Sequence, residues 1–235
     1  MIALATALSS NYYPYFEHFF KSILAHNPDF DKDHVIFYTS KNTEWLTLKQ
    51  EHIDKLKELY KHFVFHEIDF NLYAKYGKAH PIYYSIECFN LDYDRVIYCD
   101  SDFICVQPLD ELWEYSVAIE GIGMMKEKRR PSFNAGLIII GKEYMNRKTY
   151  LDLVQCNYDH IKVFGHDQKI YNIYFEGKIA DIHQKFNTLV SEINFIPKEE
   201  ILLYHYIYKP TGVGAKRLIE CSGGQRLIDE WRKYD

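Results

Sequence analysis

A basic excess is missing from this chain: 28 lysines and arginines stand against 33 aspartates and glutamates, for a net charge of −5. Nucleic-acid-binding domains usually carry a basic face, so the expected partners include no nucleic acid. Cysteine is sparse and unpatterned. Cys88, Cys99, Cys105, Cys156 and Cys221 form no CxxC pair, which speaks against a zinc site. Their odd number suits reduced thiols and a cytoplasmic setting. There is no long apolar run that predicts a transmembrane segment, and no basic stretch precedes Met1–Leu8, so a signal peptide is not expected. Repeats, low-complexity segments and linkers are also lacking.

What is present fits one α/β domain. A chain of 235 residues, 47% of them hydrophobic, buries a sizeable core. Tyrosine is abundant at 21 copies, and most of these rings are expected in the core. Met1–Leu8 reads as a first strand closed by the loop signal Ser9-Ser10-Asn11. Pro14 suits a helix first turn, and Phe16, Phe19, Phe20, Ile23 and Leu24 recur at helical spacing. His34–Thr39 and Phe63–Ile68 read as strands on either side of a helix over about Thr43–His62. This β-α-β-α-β alternation predicts a mostly parallel sheet flanked by helices, with ligands beyond the carboxyl ends of its strands. Further along, Pro108–Trp113 reads as a turn and short helix, Val117–Ile119 as a strand, and Lys126–Pro131 as a basic loop. Phe133–Ile140 and Ile201–Tyr206 complete the strands; Lys142–Cys156, Gln168–Phe175 and the C-terminal tail complete the helices.

Chemistry concentrates in Val96-Ile97-Tyr98-Cys99-Asp100-Ser101-Asp102-Phe103-Ile104-Cys105-Val106. An apolar strand ends in two carboxylates one residue apart and is followed by more apolar sequence. Uncompensated buried carboxylates are costly, so the pair makes sense around a hard cation, which can in turn hold a diphosphate.

Four ordered blocks, with this pair as the second, carry a resemblance. They are Asn11-Tyr12, Asp100-Ser101-Asp102, Phe133-Asn134-Ala135-Gly136, and Gly165-His166-Asp167-Gln168. His205-Tyr206 followed by Lys209-Pro210 adds a weaker fifth. In this the chain resembles glycosyltransferase family 8, which contains glycogenin and bacterial lipopolysaccharide galactosyl- and glucosyltransferases. The resemblance implies a GT-A type, Rossmann-like single domain. Its nucleotide-binding half would end near residue 105, its sugar and acceptor half would run over about 106–212, and a helical tail would occupy 213–235. It also implies metal-dependent, retaining transfer of a hexose from UDP-glucose or UDP-galactose to a saccharide acceptor of a bacterial surface glycan or glycolipid.

The implied roles are residue-specific. Asp100, Asp102 and His205 would ligate manganese, with magnesium as the alternative, since two carboxylates and an imidazole suit such ions. Ala7, Leu8, Ser9 and Tyr12 fall where the family places its uracil pocket, and Ser101 belongs to the same nucleotide side. Asn134 and Ala135 would approach the donor sugar, where Gly136 lets the backbone come close. Asp167 and Gln168 would meet the sugar hydroxyls and the reacting face, with Asp167 also suited to capping a helix. Lys209 is the candidate clamp on the diphosphate.

Two features depart from the family pattern. Relatives carry a basic residue roughly sixteen positions before the first metal aspartate. Tyr83-Tyr84 stand there instead, with Lys78 somewhat earlier. The His205–Thr211 block also lacks the usual glycine and tryptophan. Self-glucosylation on a tyrosine, and a sugar-nucleotide-binding protein with weak catalysis, are the alternatives. A nucleotidyltransferase is disfavoured, because Ser9-Ser10-Asn11-Tyr12 replaces its glycine-rich phosphate loop. Gly212-Val213-Gly214-Ala215-Lys216 lacks Walker spacing as well. The basic residues Lys126, Lys128, Arg129 and Arg130 read as a solvated loop. The expected location is the cytoplasm or the inner membrane face, and a homodimer stays open.

Overall fold

A computed structural model describes residues 1–75, 80–160, 167–207, 212–219 and 223–235. Lys78, Gly165, His166, Lys209, Pro210 and Cys221 lie outside them. The N-terminal alternation forms as expected: β1 Ile2–Ala7, α1 Tyr13–His26, β2 His34–Tyr38, α2 Gln50–Leu59 and β3 Phe63–Glu67. Pro14 occupies the first turn of α1, where its missing N–H costs nothing, and Phe16, Phe19, Phe20 and Ile23 are buried beneath it. The helix α3 Phe70–Lys75 and a 3₁₀ helix over Pro81–Asn90 lead into β4 Arg95–Cys99 and β5 Phe103–Cys105. There follow α4 Asp110–Ala118, β6 Ile122–Lys126, β7 Phe133–Gly141, α5 Arg147–Asp159, α6 Asp167–Tyr174, β8 Ile179–Asp181, β9 Thr188–Leu189 and β10 Leu203–His205. The tail holds α7 Gly212–Ile219 and α8 Gly224–Arg232.

Seven strands make the main sheet in the order β3-β2-β1-β4-β7-β6-β8. All run parallel except β7, which is antiparallel to both β4 and β6. Leu137, Ile138, Ile139 and Ile140 of β7 are fully buried, as a central strand covered on both faces requires. A second sheet, β5-β10-β9, packs beside it.

Val117 and Ala118 end a helix rather than begin a strand; the strand starts at Ile122. The local apolar run misled because Leu112 and Ser116 carry the buried face of α4, while Val117 is exposed. Positive-φ Gly121 then turns the chain into β6, and Lys126 closes that strand instead of opening a loop. The helix expected from Thr43 begins only at Gln50, and the one expected from Lys142 begins at Arg147, capped by the Asn146 side chain on the Thr149 amide.

The Asp100–Asp102 turn joins the two sheets. The Asp100 amide donates to the Gly136 carbonyl at 2.8 Å, extending the β4–β7 ladder. Two residues on, the Asp102 carbonyl accepts from the Tyr206 amide at 2.8 Å, and β5 pairs with β10 so that Phe103 opposes His205. Main-chain pairing alone therefore brings His205, more than a hundred residues away in sequence, over the two carboxylates.

Candidate active site

A cavity of about 780 Å³ opens beyond the carboxyl end of β4. Asp100, Asp102 and His205 form its floor, and Asn134, Asp167 and Gln168 stand on its walls. His205 Nε2 lies 3.6 Å from Asp100 Oδ2 and 3.4 Å from Asp102 Oδ1. One ligand atom from each of the three residues falls within 4.8 Å of the others, a geometry that can hold a metal ion. Burial pushes the Asp100 carboxyl well above the usual carboxylate range, and the neighbouring Asp102 and Asp167 push it further. The Tyr98 hydroxyl, donating to Asp100 Oδ1 at 3.0 Å, offsets only part of this. Although protein encloses Asp100, 39% of its side chain faces the cleft, where a cation can reach it. The donor set fits a divalent ion of the manganese or magnesium class.

His205 itself is locked. Its ring stacks on Phe103 with centroids 4.4 Å apart and planes 13° from parallel. The ring also meets Gly136, where an added Cβ would come within 2.1 Å of Cε1. Gly136 is thus required by close approach to the imidazole, a more specific demand than the sugar approach expected from sequence. His205 Nδ1 sits 2.9 Å from Asn187 Oδ1.

The sugar-side residues form one hydrogen-bonded group. Gln168 Oε1 accepts from Asn134 Nδ2 at 3.3 Å and the Ala135 amide at 3.4 Å, while its Nε2 donates to Glu127 at 3.0 Å. Asp167 accepts from Ser85 at 3.0 Å and from the Gln168 amide at 2.8 Å. Burial raises its carboxyl to about 7 despite those two donors. Asn172 holds α6 against β7 by pairing with both the amide and the carbonyl of Phe133.

The expected base-side residues stand apart from this cavity. Leu8, Ser9 and Ser101 are buried, and Ala7 packs against the core. Ser9 Oγ is turned onto Asn11 Oδ1 at 2.6 Å, so its hydroxyl already has a partner. Tyr12 is half-buried, and burial and then the charges of Asp102 and Asp100 raise its phenol. Lys209 lies outside the described residues.

Several site residues carried no motif. Ser85, Tyr98, Glu127, Asn172 and Asn187 support or line the site, and only the tertiary pairing reveals them. Lys126, Lys128, Arg129 and Arg130 are exposed, as a solvated loop requires, and they also border cavities: Arg129 and Arg130 line the main one, Lys126 and Lys128 a second of about 400 Å³. Arg130 is 3.9 Å from Glu127, and Arg129 lies over the Phe195 ring at 6.0 Å.

Among the described residues no helix is long and apolar enough to cross a membrane. In solved structures this architecture recurs in the galactosyltransferase LgtC, crystallised in complex with donor and acceptor sugar analogs. That likeness has a TM-score of 0.77 at 16% identity over 99% of this chain and 96% of LgtC. The glycosyltransferase GlyE of Streptococcus pneumoniae TIGR4 matches with a TM-score of 0.75 at 19% identity, over the whole of this chain and 60% of GlyE. In sequence, the glycosyltransferase GlyF of Streptococcus pneumoniae serotype 4 is 28% identical over 192 residues, which are 72% of this chain and 44% of GlyF. The chain therefore spans less than half the length of that relative. The Glycosyl transferase family 8 profile matches residues 3–210, and this chain with its GT-A fold belongs to that family.

Proposed function

We propose that this protein transfers a hexose from UDP-glucose or UDP-galactose to a saccharide acceptor, with retention of anomeric configuration and with manganese or magnesium as cofactor. The observation that carries this reading is the convergence of Asp100, Asp102 and His205 on the floor of the cavity whose walls hold Asn134, Asp167 and Gln168. Asp100, Asp102 and His205 would hold the ion. When bound, it supplies Lewis acidity toward the diphosphate of the departing nucleotide.

The other residues position and exclude. Asn134, Ala135 and Gln168, tied together by their hydrogen bonds, present a fixed polar wall to the donor sugar. The acceptor hydroxyl attacks from the face the nucleotide leaves, and its proton passes to the departing phosphate. Asp167 is the carboxylate for the reacting face, with Ser85 and the Gln168 amide fixing both its oxygens. The Gln168 carbonyl oxygen, reached by two long donors at 3.3 and 3.4 Å, keeps its partial negative charge on the wall where a cationic sugar centre would develop. Tyr12 and the main chain from Ala7 to Ser9 take the base, Ser101 stays on the nucleotide side, and Lys209 is assigned to the diphosphate. A surface glycan or glycolipid is the acceptor class, and the work takes place in the cytoplasm or at the inner membrane face.

A panel of nucleotide sugars, each incubated with the protein and followed for release of free sugar, tests the reading. UDP-glucose or UDP-galactose should be hydrolysed in manganese and left intact with chelator. Equal turnover of GDP-sugars, or turnover indifferent to chelator, would overturn it. NMR of the first-formed anomer should show the donor's own configuration.

A further inference from the structure

His205 has two ring nitrogens, and a metal ligand must offer a lone pair while its other nitrogen carries the proton. The chain of hydrogen bonds behind the ring determines which is which. It starts at a group whose polarity is fixed: the Gly136 amide is a donor, and it lies 2.9 Å from Asn134 Oδ1. That oxygen is therefore an acceptor, and the side chain's Nδ2 points the other way, toward the acceptors Gln168 Oε1 and Glu127 Oε1, both at 3.3 Å. The Gln168 oxygen is fixed independently, because the Ala135 amide donates to it.

Asn134 Oδ1 has a second neighbour, Asn187 Nδ2, at 2.9 Å. An acceptor there compels Asn187 to donate with its nitrogen and leaves Asn187 Oδ1 facing His205 Nδ1 at 2.9 Å. His205 must then donate from Nδ1. Nε2 is then the nitrogen that faces Asp100 and Asp102, and in the neutral ring it carries the lone pair. The relay is buried throughout: Asn134, Asn187 and His205 have 7%, 0% and 4% exposure, so water does not compete for it.

We propose that Asn187 is a positioning residue that holds His205 in its Nδ1–H tautomer and so aims the Nε2 lone pair into the cation site. Asn187 reaches this place because Leu189 of β9 pairs in register with His205 of β10, putting the preceding turn behind the imidazole. Asn134 thereby serves two ends at once. Its nitrogen belongs to the sugar wall and its oxygen to the support of the metal ligand, so the two halves of the site share one amide. The inference rests on the metal reading above for its purpose but not for its geometry.

Two measurements separate them. In metal-free protein, at a pH where the ring is neutral, ¹⁵N–¹H correlation of the imidazole that vanishes in His205→Asn should show a protonated Nδ1 and a bare Nε2. A majority Nε2–H tautomer in the wild type would overturn the relay, whether or not any variant folds. Manganese titration followed by electron paramagnetic resonance supplies the second readout. Asn187→Leu should bind manganese about 10–100-fold more weakly than wild type and lose the single tautomer. If Asn187→Leu retains both tautomer and affinity, Asn187 is structural only and the proposal fails. If wild type takes up no manganese while its tautomer is as stated, the metal reading fails and the relay stands.

Discussion

The tips of β1 and β4 lie side by side at the same edge of the sheet, yet they are finished in opposite ways. At β1 the polar groups are spent internally. Leu8 donates its amide to Phe37, the Ser9 carbonyl accepts from the amides of Tyr12 and Tyr13, and the Ser9 hydroxyl turns onto Asn11. At β4 Asp100 takes the Tyr98 hydroxyl on one oxygen, and otherwise the carboxylates converge on His205. Asp102 and Asp100 stand 3.4 and 3.6 Å from His205 Nε2, too long for strong hydrogen bonds, and the three ligand atoms lie within 4.8 Å of one another, with room for an ion between them. One tip is complete as it stands and offers a ring and a backbone edge. The other is electrostatically incomplete, which is what a cation site needs to be.

Breaking the incomplete tip should have the largest effect. Asp102→Asn removes one charge and one ligand, so manganese affinity should fall by more than about 100-fold, beyond the range outer-shell changes give. Manganese-dependent hydrolysis of the UDP-sugar should fall in step, with thermal stability unchanged or raised because a like-charge contact with Asp100 is relieved. Unchanged affinity by calorimetry would show that the carboxylates do not hold the ion. The complete tip should respond differently. Tyr12→Ala removes a ring whose stacking on a base is worth about 1–3 kcal/mol. UDP affinity should drop by roughly tenfold while manganese affinity without nucleotide moves less than about twofold. A loss of manganese affinity equal to the loss of UDP affinity would mean that the two tips are one site.

The same contrast explains what could be read from sequence. The N-terminal alternation was legible because each strand is buried and each helix carries a regular apolar face, as at Phe16, Phe19, Phe20 and Ile23. The Asp100–Asp102 pair was legible because two charges at the end of an apolar strand demand a reason. The remainder depends on pairing between segments far apart in sequence. His205 has meaning only because β10 pairs with β5, and Asn187 only because β9 pairs with β10. Glu127 and Asn172 are ordinary polar residues until α6 docks on β7. Even the error at Val117–Ile119 has this origin. Which face of that stretch is buried depends on the packing of α4, not on the run of apolar letters.

The last effect is read in stability and concerns Asp167, a buried carboxyl on the cavity wall. Its folded value is raised to about 7 from an ordinary 3.8, mainly by burial. Between those values the folded state holds a proton that the unfolded chain has released. Stability of the metal-free protein should therefore fall as pH rises from about 4 to about 7, by at most about 1.4 kcal/mol per pH unit from this group, and level off above. Asp100, raised in the same direction, adds to the slope. Asp167→Asn should flatten part of it, visible as a smaller drop in Tm between pH 5 and pH 7 than wild type shows. If the drop is identical in the two proteins, Asp167 is ionised in the folded state across that range. Its two donors, Ser85 and the Gln168 amide, would then outweigh its burial, and the carboxylate would be poised at neutral pH without help from a neighbouring cation.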